Sequence, residues 1–209
     1  MADPDHMIYI VDDDASVRDA VSNLLESVGF RAQGFESAEQ FRKAPRPEVP
    51  SCLVLDYRLP GQNGLEVQEA LTKAGDTIPI IFITAHGDVP MTARAMKKGA
   101  IEFLMKPFQK EDLLAAIHHG LERDRVRRAE QAEVSVLQER YEELTPRERE
   151  VMELVVTGLT NKEVASRLDI SEVTTKMHRG QVMQKMQAGS LAALVRMAQR
   201  LRIGSSSAL

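Results

Sequence analysis

Cys52-Leu53-Val54-Leu55-Asp56 is a run of four apolar residues that stops on a carboxylate. A run this short and this continuously apolar reads as a strand covered on both faces, as in parallel sheets flanked by helices. Outward from it the pattern repeats. Met7–Val11, Arg31–Phe35, Ile78–Ile83 and Ile101–Met105 read as four further strands. Amphipathic stretches near 16–28, 37–44, 64–74, 90–98 and 110–120 alternate with them, with Ser37 and Gln40 placed for an N-cap and Gly29 for a stop. Alternation of this kind predicts an α/β domain with a parallel sheet over residues 1–120.

From Leu121 to Tyr141 the strands disappear and charge takes over, with Arg123, Arg125, Arg127 and Arg128 interleaved with Glu and Ala. No Pro or Gly interrupts this stretch. It reads as a connector over 121–141, either a helix continuing the one before it or a solvated, partly frayed linker. Two strong helix starts follow. Thr145-Pro146-Arg147-Glu148 sets an N-cap, a first-turn proline and a capping-box Glu in register, and Thr160-Asn161-Lys162-Glu163 repeats the box. Gly158 separates them, a third helix follows Ser171, and a fourth runs near Ser190–Arg202. Residues 142–203 therefore predict a small all-α domain, and 204–209 a disordered Gly/Ser tail.

The net charge of −4 conceals an asymmetry. Residues 1–139 carry 16 Lys and Arg against 23 Asp and Glu, a balance of −7, whereas residues 140–209 carry 11 against 8, a balance of +3. The two parts face different partners. No apolar run is long enough to cross a bilayer, and Met1–His6 lack the basic start and apolar stretch of a secretory signal, so the expectation is a cytoplasmic protein with no membrane partner. The lone cysteine, Cys52, forms no internal disulfide and reads as a small buried hydrophobe.

Chemistry concentrates at the carboxyl ends of the strands, where open α/β sheets bind ligands. Asp12 and Asp13 follow the first strand, Asp56 the third, Thr84 the fourth and Lys106 the fifth. With strand order 2-1-3-4-5 the first and third strands are neighbours, and three carboxylates converge. Like charges so placed call for a hard divalent cation, Mg²⁺ above all. A carboxylate beside such a cation is able to attack phosphorus, with Lys106 supplying positive charge and Thr84 a hydroxyl donor. Singly, each residue has an ordinary explanation: Asp12-Asp13-Asp14 as a helix-capping run, Lys106 as a strand end, Thr84 as a sheet residue. Their joint occurrence at four strand ends favours the site.

In the second domain, Thr160–Leu168, a turn at Asp169-Ile170 and Ser171–Met186 have helix-turn-helix spacing. Helical phase sorts Thr175, His178, Val182 and Met186 to the face that packs on the domain, and Lys176, Met177, Gly180 and Gln184 to the opposite one. Lys176, Gln184 and Met177 are candidates for reading bases, Met177 through a thymine methyl. Thr174, Arg179, Lys185 and Lys162 are candidates for phosphates. Gly180 lies on the outer face at a helix cost of about 1 kcal/mol, allowing close approach. Leu191, Leu194, Val195, Ala198 and Leu201 form the apolar stripe of the last helix.

Ile10-Val11-Asp12-Asp13-Asp14, Leu55-Asp56-Tyr57-Arg58-Leu59-Pro60-Gly61, Ile83-Thr84-Ala85-His86-Gly87-Asp88 and Phe103-Leu104-Met105-Lys106-Pro107-Phe108 together resemble the receiver motifs of response regulators. The second domain resembles the LuxR-type module, and the pair resembles the FixJ group of the NarL/FixJ family. The resemblance implies a flavodoxin-like, doubly wound five-stranded sheet, phosphorylation of Asp56 by a sensor histidine kinase, and Mg²⁺ held by Asp13, Asp56 and the backbone carbonyl of Arg58, with Asp12 assisting through water. It also implies a cis peptide before Pro107, and an inward turn of Phe103 when a phosphoryl group draws Thr84 towards it. A homodimer would form through residues 90–105, the last helix would be a dimerisation helix, and the module would bind double-stranded promoter DNA and work with RNA polymerase. One rival is a Mg²⁺-dependent phosphohydrolase. Such enzymes use a second acid two residues beyond the nucleophile, where this chain has Arg58, so the expectation is a phosphoacceptor limited to autophosphorylation and autodephosphorylation. The other rival is an output domain that binds protein.

Overall fold

Five parallel strands pair in the order β2-β1-β3-β4-β5: β1 (Met7–Val11), β2 (Ala32–Phe35), β3 (Ser51–Asp56), β4 (Ile80–Thr84) and β5 (Glu102–Met105). These come from a computed structural model, which describes residues 6–204. Of the tail predicted at 204–209, residues 205–209 lie outside the described residues. Register matters more than order for the site. Val11 pairs with Leu55 and Asp56 with Ile83, so the residues leaving β1 and β3 emerge side by side at one edge.

Alternate side chains point to opposite faces of a strand, and both faces here are covered. Tyr9, Val11, Leu53, Leu55 and Phe82 meet α2 (Ala38–Lys43), α3 (Gly64–Lys73) and α4 (Val89–Lys97). Ile8, Ile10, Cys52, Val54, Ile81 and Ile83 meet α1 (Ala15–Ser27) and α5 (Lys110–Glu142). Each such aliphatic or aromatic side chain contributes about 1.5–3 kcal/mol when fully buried. Cys52 is completely buried, and burial pushes its thiol far up, which leaves no reactive thiolate.

Caps form where the sequence places them. Ser37 accepts from the Gln40 amide, and Asp14 accepts the Ser16 amide at 2.8 Å as N-cap of α1. The Asp12-Asp13-Asp14 run thus serves both readings, its last residue capping the helix and its first two facing the site. One feature escaped the sequence reading: Arg58–Leu59 and Gln62–Asn63 pair as a two-residue antiparallel ladder around Gly61, whose φ is +78°.

The chain divides into two units, with the boundary after Arg128 and therefore within α5. The stretch read as helix or frayed linker is helix throughout, to Glu142. In the second unit α6 (Pro146–Val156), α7 (Asn161–Leu168), α8 (Glu172–Lys185) and α9 (Leu191–Arg200) enclose Val151, Met152, Val155, Val164, Val182 and Leu194. Both capping boxes are formed, Thr145 with Glu148 and Thr160 with Glu163. No strand occurs in this unit among the described residues.

Candidate functional site

Asp12, Asp13 and Asp56 come together as the register requires, each offering a carboxylate oxygen within 4.8 Å of the others. Asp12 is fully buried, Asp56 nearly so, and Asp13 is exposed. Lys106, 94 residues from Asp12, reaches back from the end of β5 to place Nζ 2.6 Å from Asp12 Oδ2 and 3.7 Å from Asp56 Oδ1. The Lys106–Pro107 peptide is cis. Burial pushes the Asp56 carboxyl above the usual carboxylate range; Asp12 and Asp13 add to the push, while Lys106 and the Arg58 backbone N–H oppose it. One ammonium among three carboxylates leaves the cluster short of positive charge. That deficit, with oxygen donors only, fits a hard divalent cation.

Thr84 is fully buried at the end of β4, its hydroxyl donating to the His86 carbonyl at 3.1 Å and accepting from the His86 amide at 3.3 Å. Its backbone carbonyl accepts the Lys106 amide at 2.7 Å, which ties two site residues together. Phe103 is already turned inward: it is 8% exposed and packs edge-on against Tyr57, with ring centroids 5.7 Å apart, and obliquely against Phe82 at 6.1 Å. Gly87 permits this arrangement. A Cβ there would stand 2.6 Å from Met105 Sδ and 2.9 Å from Phe103 Cε1.

In the second unit, α7 ends at Asp169, whose left-handed φ of +53° turns the chain sharply, and α8 starts at the Ser171 cap two residues on. Thr175, Val182 and Met186 are buried and His178 half-buried, whereas Lys176, Met177, Gly180 and Gln184 are exposed, so phase sorts the helix as expected. The Thr175 hydroxyl donates to the Ser171 carbonyl at 3.1 Å, which satisfies a polar group in an apolar position.

Residues 8–118 match the response regulator receiver domain family, and residues 142–198 match the luxR family of bacterial regulatory proteins. The chain is a two-component response regulator of the FixJ/NarL family. It is 50% identical over 200 residues to nodulation protein W of Bradyrhizobium diazoefficiens, covering 96% of this chain and 88% of that one. With the response regulator protein TmoT of Ectopseudomonas mendocina it shares 45% over 202 residues, covering 97% and 92%. Among solved structures, response regulator StyR aligns with a TM-score of 0.79 at 49% identity, covering 94% of this chain and 99% of that one. Full-length FixJ from B. japonicum aligns at 0.56 and 41%, covering 93% and 96%.

Within this response regulator, the candidate DNA-facing residues differ in freedom. Lys162 and Lys176 are exposed. Arg179 donates to Asn161 Oδ1 at 3.0 Å, and the Thr174 hydroxyl shares a 2.8 Å hydrogen bond with Ser171. Lys185 is turned into the unit: its Nζ lies 2.7 Å from the buried Glu148 and donates to the Glu143 carbonyl at 3.3 Å. The sequence reading passed over Val173, which is 79% exposed one turn before Met177, itself 56% exposed. A valine that helical phase leaves unburied at the start of the second helix of a helix-turn-helix was the available signal. Of the receiver residues 90–105, Ala95 is buried and Met91 packs on the core, whereas Met96 and Met105 are exposed, as is Val89 just before this stretch. No helix among the described residues is long and apolar enough to cross a membrane.

Proposed function

We propose that Asp56 accepts a phosphoryl group from a sensor histidine kinase in a Mg²⁺-dependent reaction, and that this promotes receiver dimerisation and promoter binding by α8. The observation that carries the reading is Asp56 itself, nearly buried between two further carboxylates and an ammonium at a strand end. Asp12, Asp13, Asp56 and the Arg58 carbonyl would hold Mg²⁺, which when bound supplies charge to the phosphoryl oxygens. Lys106 orients Asp12 and supports the incoming charge, and the Thr84 hydroxyl exchanges its His86 partner for a phosphoryl oxygen. Because Phe103 is already inward, phosphorylation holds that ring rather than drawing it in. The exposed Val89, Met96 and Met105 supply apolar area for a second copy.

On DNA, Lys176, Met177, Gly180 and Gln184 face the major groove, with Val173 added at the helix start, while Lys162, Thr174 and Arg179 approach phosphates. The balance of positive charge in this part of the chain supports DNA over a protein partner. Work with RNA polymerase and a cytoplasmic location follow from the same reading. Arg58, where a phosphohydrolase needs an acid, supports autophosphorylation and autodephosphorylation without turnover of external substrates.

Incubation with a small-molecule phosphodonor and Mg²⁺ tests this. One phosphoryl adduct is expected, mapped to Asp56 by mass spectrometry and absent from Asp56→Asn, with tighter retention of a specific promoter fragment in gel shift. An adduct elsewhere, or none, overturns it.

A further inference from the structure

A cavity of about 450 Å³ opens at the edge of the receiver away from Asp56, where β3 begins. On one side lies Asp124 of α5, completely buried. Its carboxylate accepts the Ser51 backbone N–H at 2.9 Å, Nε and Nη2 of Arg127 at 2.9 and 2.6 Å, and Nε of Arg128 at 2.7 Å. Two guanidinium groups against one carboxylate leave this side of the cavity positive, although Asp76 and Glu48 balance the charge over the whole lining. Arg46, on the same cavity, pairs with Asp76 and lies over the Phe41 ring, its central carbon 4.7 Å from the centroid. Glu48 is exposed at the rim.

The observation that points to a ligand is Tyr9. Its side chain is wholly buried, with the Phe41 centroid 5.3 Å away, and it lines the cavity. Yet its hydroxyl makes no hydrogen bond of adequate geometry. The neighbouring Ser51 hydroxyl commits its own proton to the Val49 carbonyl at 2.7 Å, which leaves it only an acceptor towards Tyr9. A buried hydroxyl without a well-formed partner carries a desolvation cost, so such groups call for an explanation. Among the described residues, Nη1 of Arg127 and the terminal nitrogens of Arg128 also lack a protein acceptor. Guanidinium forks suit planar or tetrahedral oxyanions.

We infer that this cavity binds a small molecule through a phosphate or carboxylate group, which accepts from the Tyr9 hydroxyl and from Arg127 and Arg128. The volume suits a metabolite-sized ligand. Occupancy would join α5 to the start of β3 through an added bridge, at the end of the sheet opposite the acidic cluster. The site is independent of phosphorylation at Asp56.

The test titrates the full-length protein, in Mg²⁺-free buffer at constant ionic strength, with inorganic phosphate in one arm and citrate in the other. Backbone amide shifts and thermal midpoint are followed in both. Saturable shifts are expected at Ser51 and Arg128, and the arm that saturates at lower concentration identifies the anion class. Tyr9→Phe is expected to melt no lower than the parent while binding about fivefold more weakly or worse, the loss of one hydrogen bond, and Arg128→Gln to weaken binding at least as much. A lower midpoint for Tyr9→Phe with unchanged affinity would show a structural hydroxyl and overturn the inference. Shifts confined to the Asp56 end, or no saturable response in either arm, would also overturn it.

Discussion

Lys106 sits 1.1 Å closer to Asp12 than to Asp56, with Nζ–O distances of 2.6 and 3.7 Å. The ammonium therefore lies nearer the fully buried Asp12 and compensates Asp56 less, so that burial still pushes the Asp56 carboxyl up. Positive charge is committed to Asp12, and Asp56, the proposed phosphoacceptor, is left the more available.

Lys106→Met should then cost about 1–3 kcal/mol of receiver stability in metal-free buffer, because Asp12 is left buried without its partner. Added Mg²⁺ should recover much of the loss. Urea denaturation with and without Mg²⁺ checks this, and a variant equally stable in metal-free buffer would count against the pairing.

Asp56→Asn should raise stability by about 1–2 kcal/mol at neutral pH without Mg²⁺, since it removes one of three crowded like charges. A raised carboxyl pKa in the folded state means that the ionised group opposes folding. Thermal melts decide the sign.

Gly87→Ala should destabilise the receiver by about 1–3 kcal/mol, as a methyl at that Cβ meets the Phe103 ring. Phe103→Leu in the same chain should recover part of the loss, because a smaller side chain leaves room. Simple additivity in the double-mutant cycle would remove the proposed contact.

Glu148 contributes to the pH dependence of the second unit. Burial pushes its carboxyl up, but hydrogen bonds from Lys185 and Thr145 outweigh this and hold it below the usual range. A carboxyl lowered on folding stabilises above its unfolded value, about 4.5, and loses that contribution as pH falls through its folded one. Glu148→Gln should cost about 1–2 kcal/mol at pH 7 and progressively less below pH of about 4. Lys185→Met should destabilise the unit and leave the salt dependence of DNA binding unchanged, whereas Lys162→Met should lower the salt slope by about one.

Val173 and Met177, one helical turn apart, should read thymine methyls. In an operator selected with the phosphorylated protein, thymine-to-uracil replacement opposite them should weaken the parent several-fold and spare Val173→Ala at one position. Equal losses for both proteins would place the contact elsewhere.

Much of this was legible along the chain, because periodicity and capping are local. The run at Cys52–Leu55, the Thr145 and Thr160 boxes and the split faces of α8 all formed as read. Strand ends, once ordered, brought Asp12, Asp13, Asp56, Thr84 and Lys106 to one edge. The Arg58–Asn63 ladder was missed because two-residue strands carry no period. The course of 121–141 stayed open because its sequence suits a helix or a solvated linker equally well; in the fold, Asp124 of that stretch is anchored on the Ser51 amide.

By itself, then, the sequence determined the alternation of elements, their caps and the acids at the strand ends, since each depends on spacing within a few residues. Tertiary structure alone decided which acid Lys106 serves, that Lys185 turns to Glu148, that Phe103 lies inward, and that Tyr9 shares a cavity with the arginines of α5. Those outcomes join residues far apart in the chain, and they depend on distances and desolvation that exist only once the layers have packed.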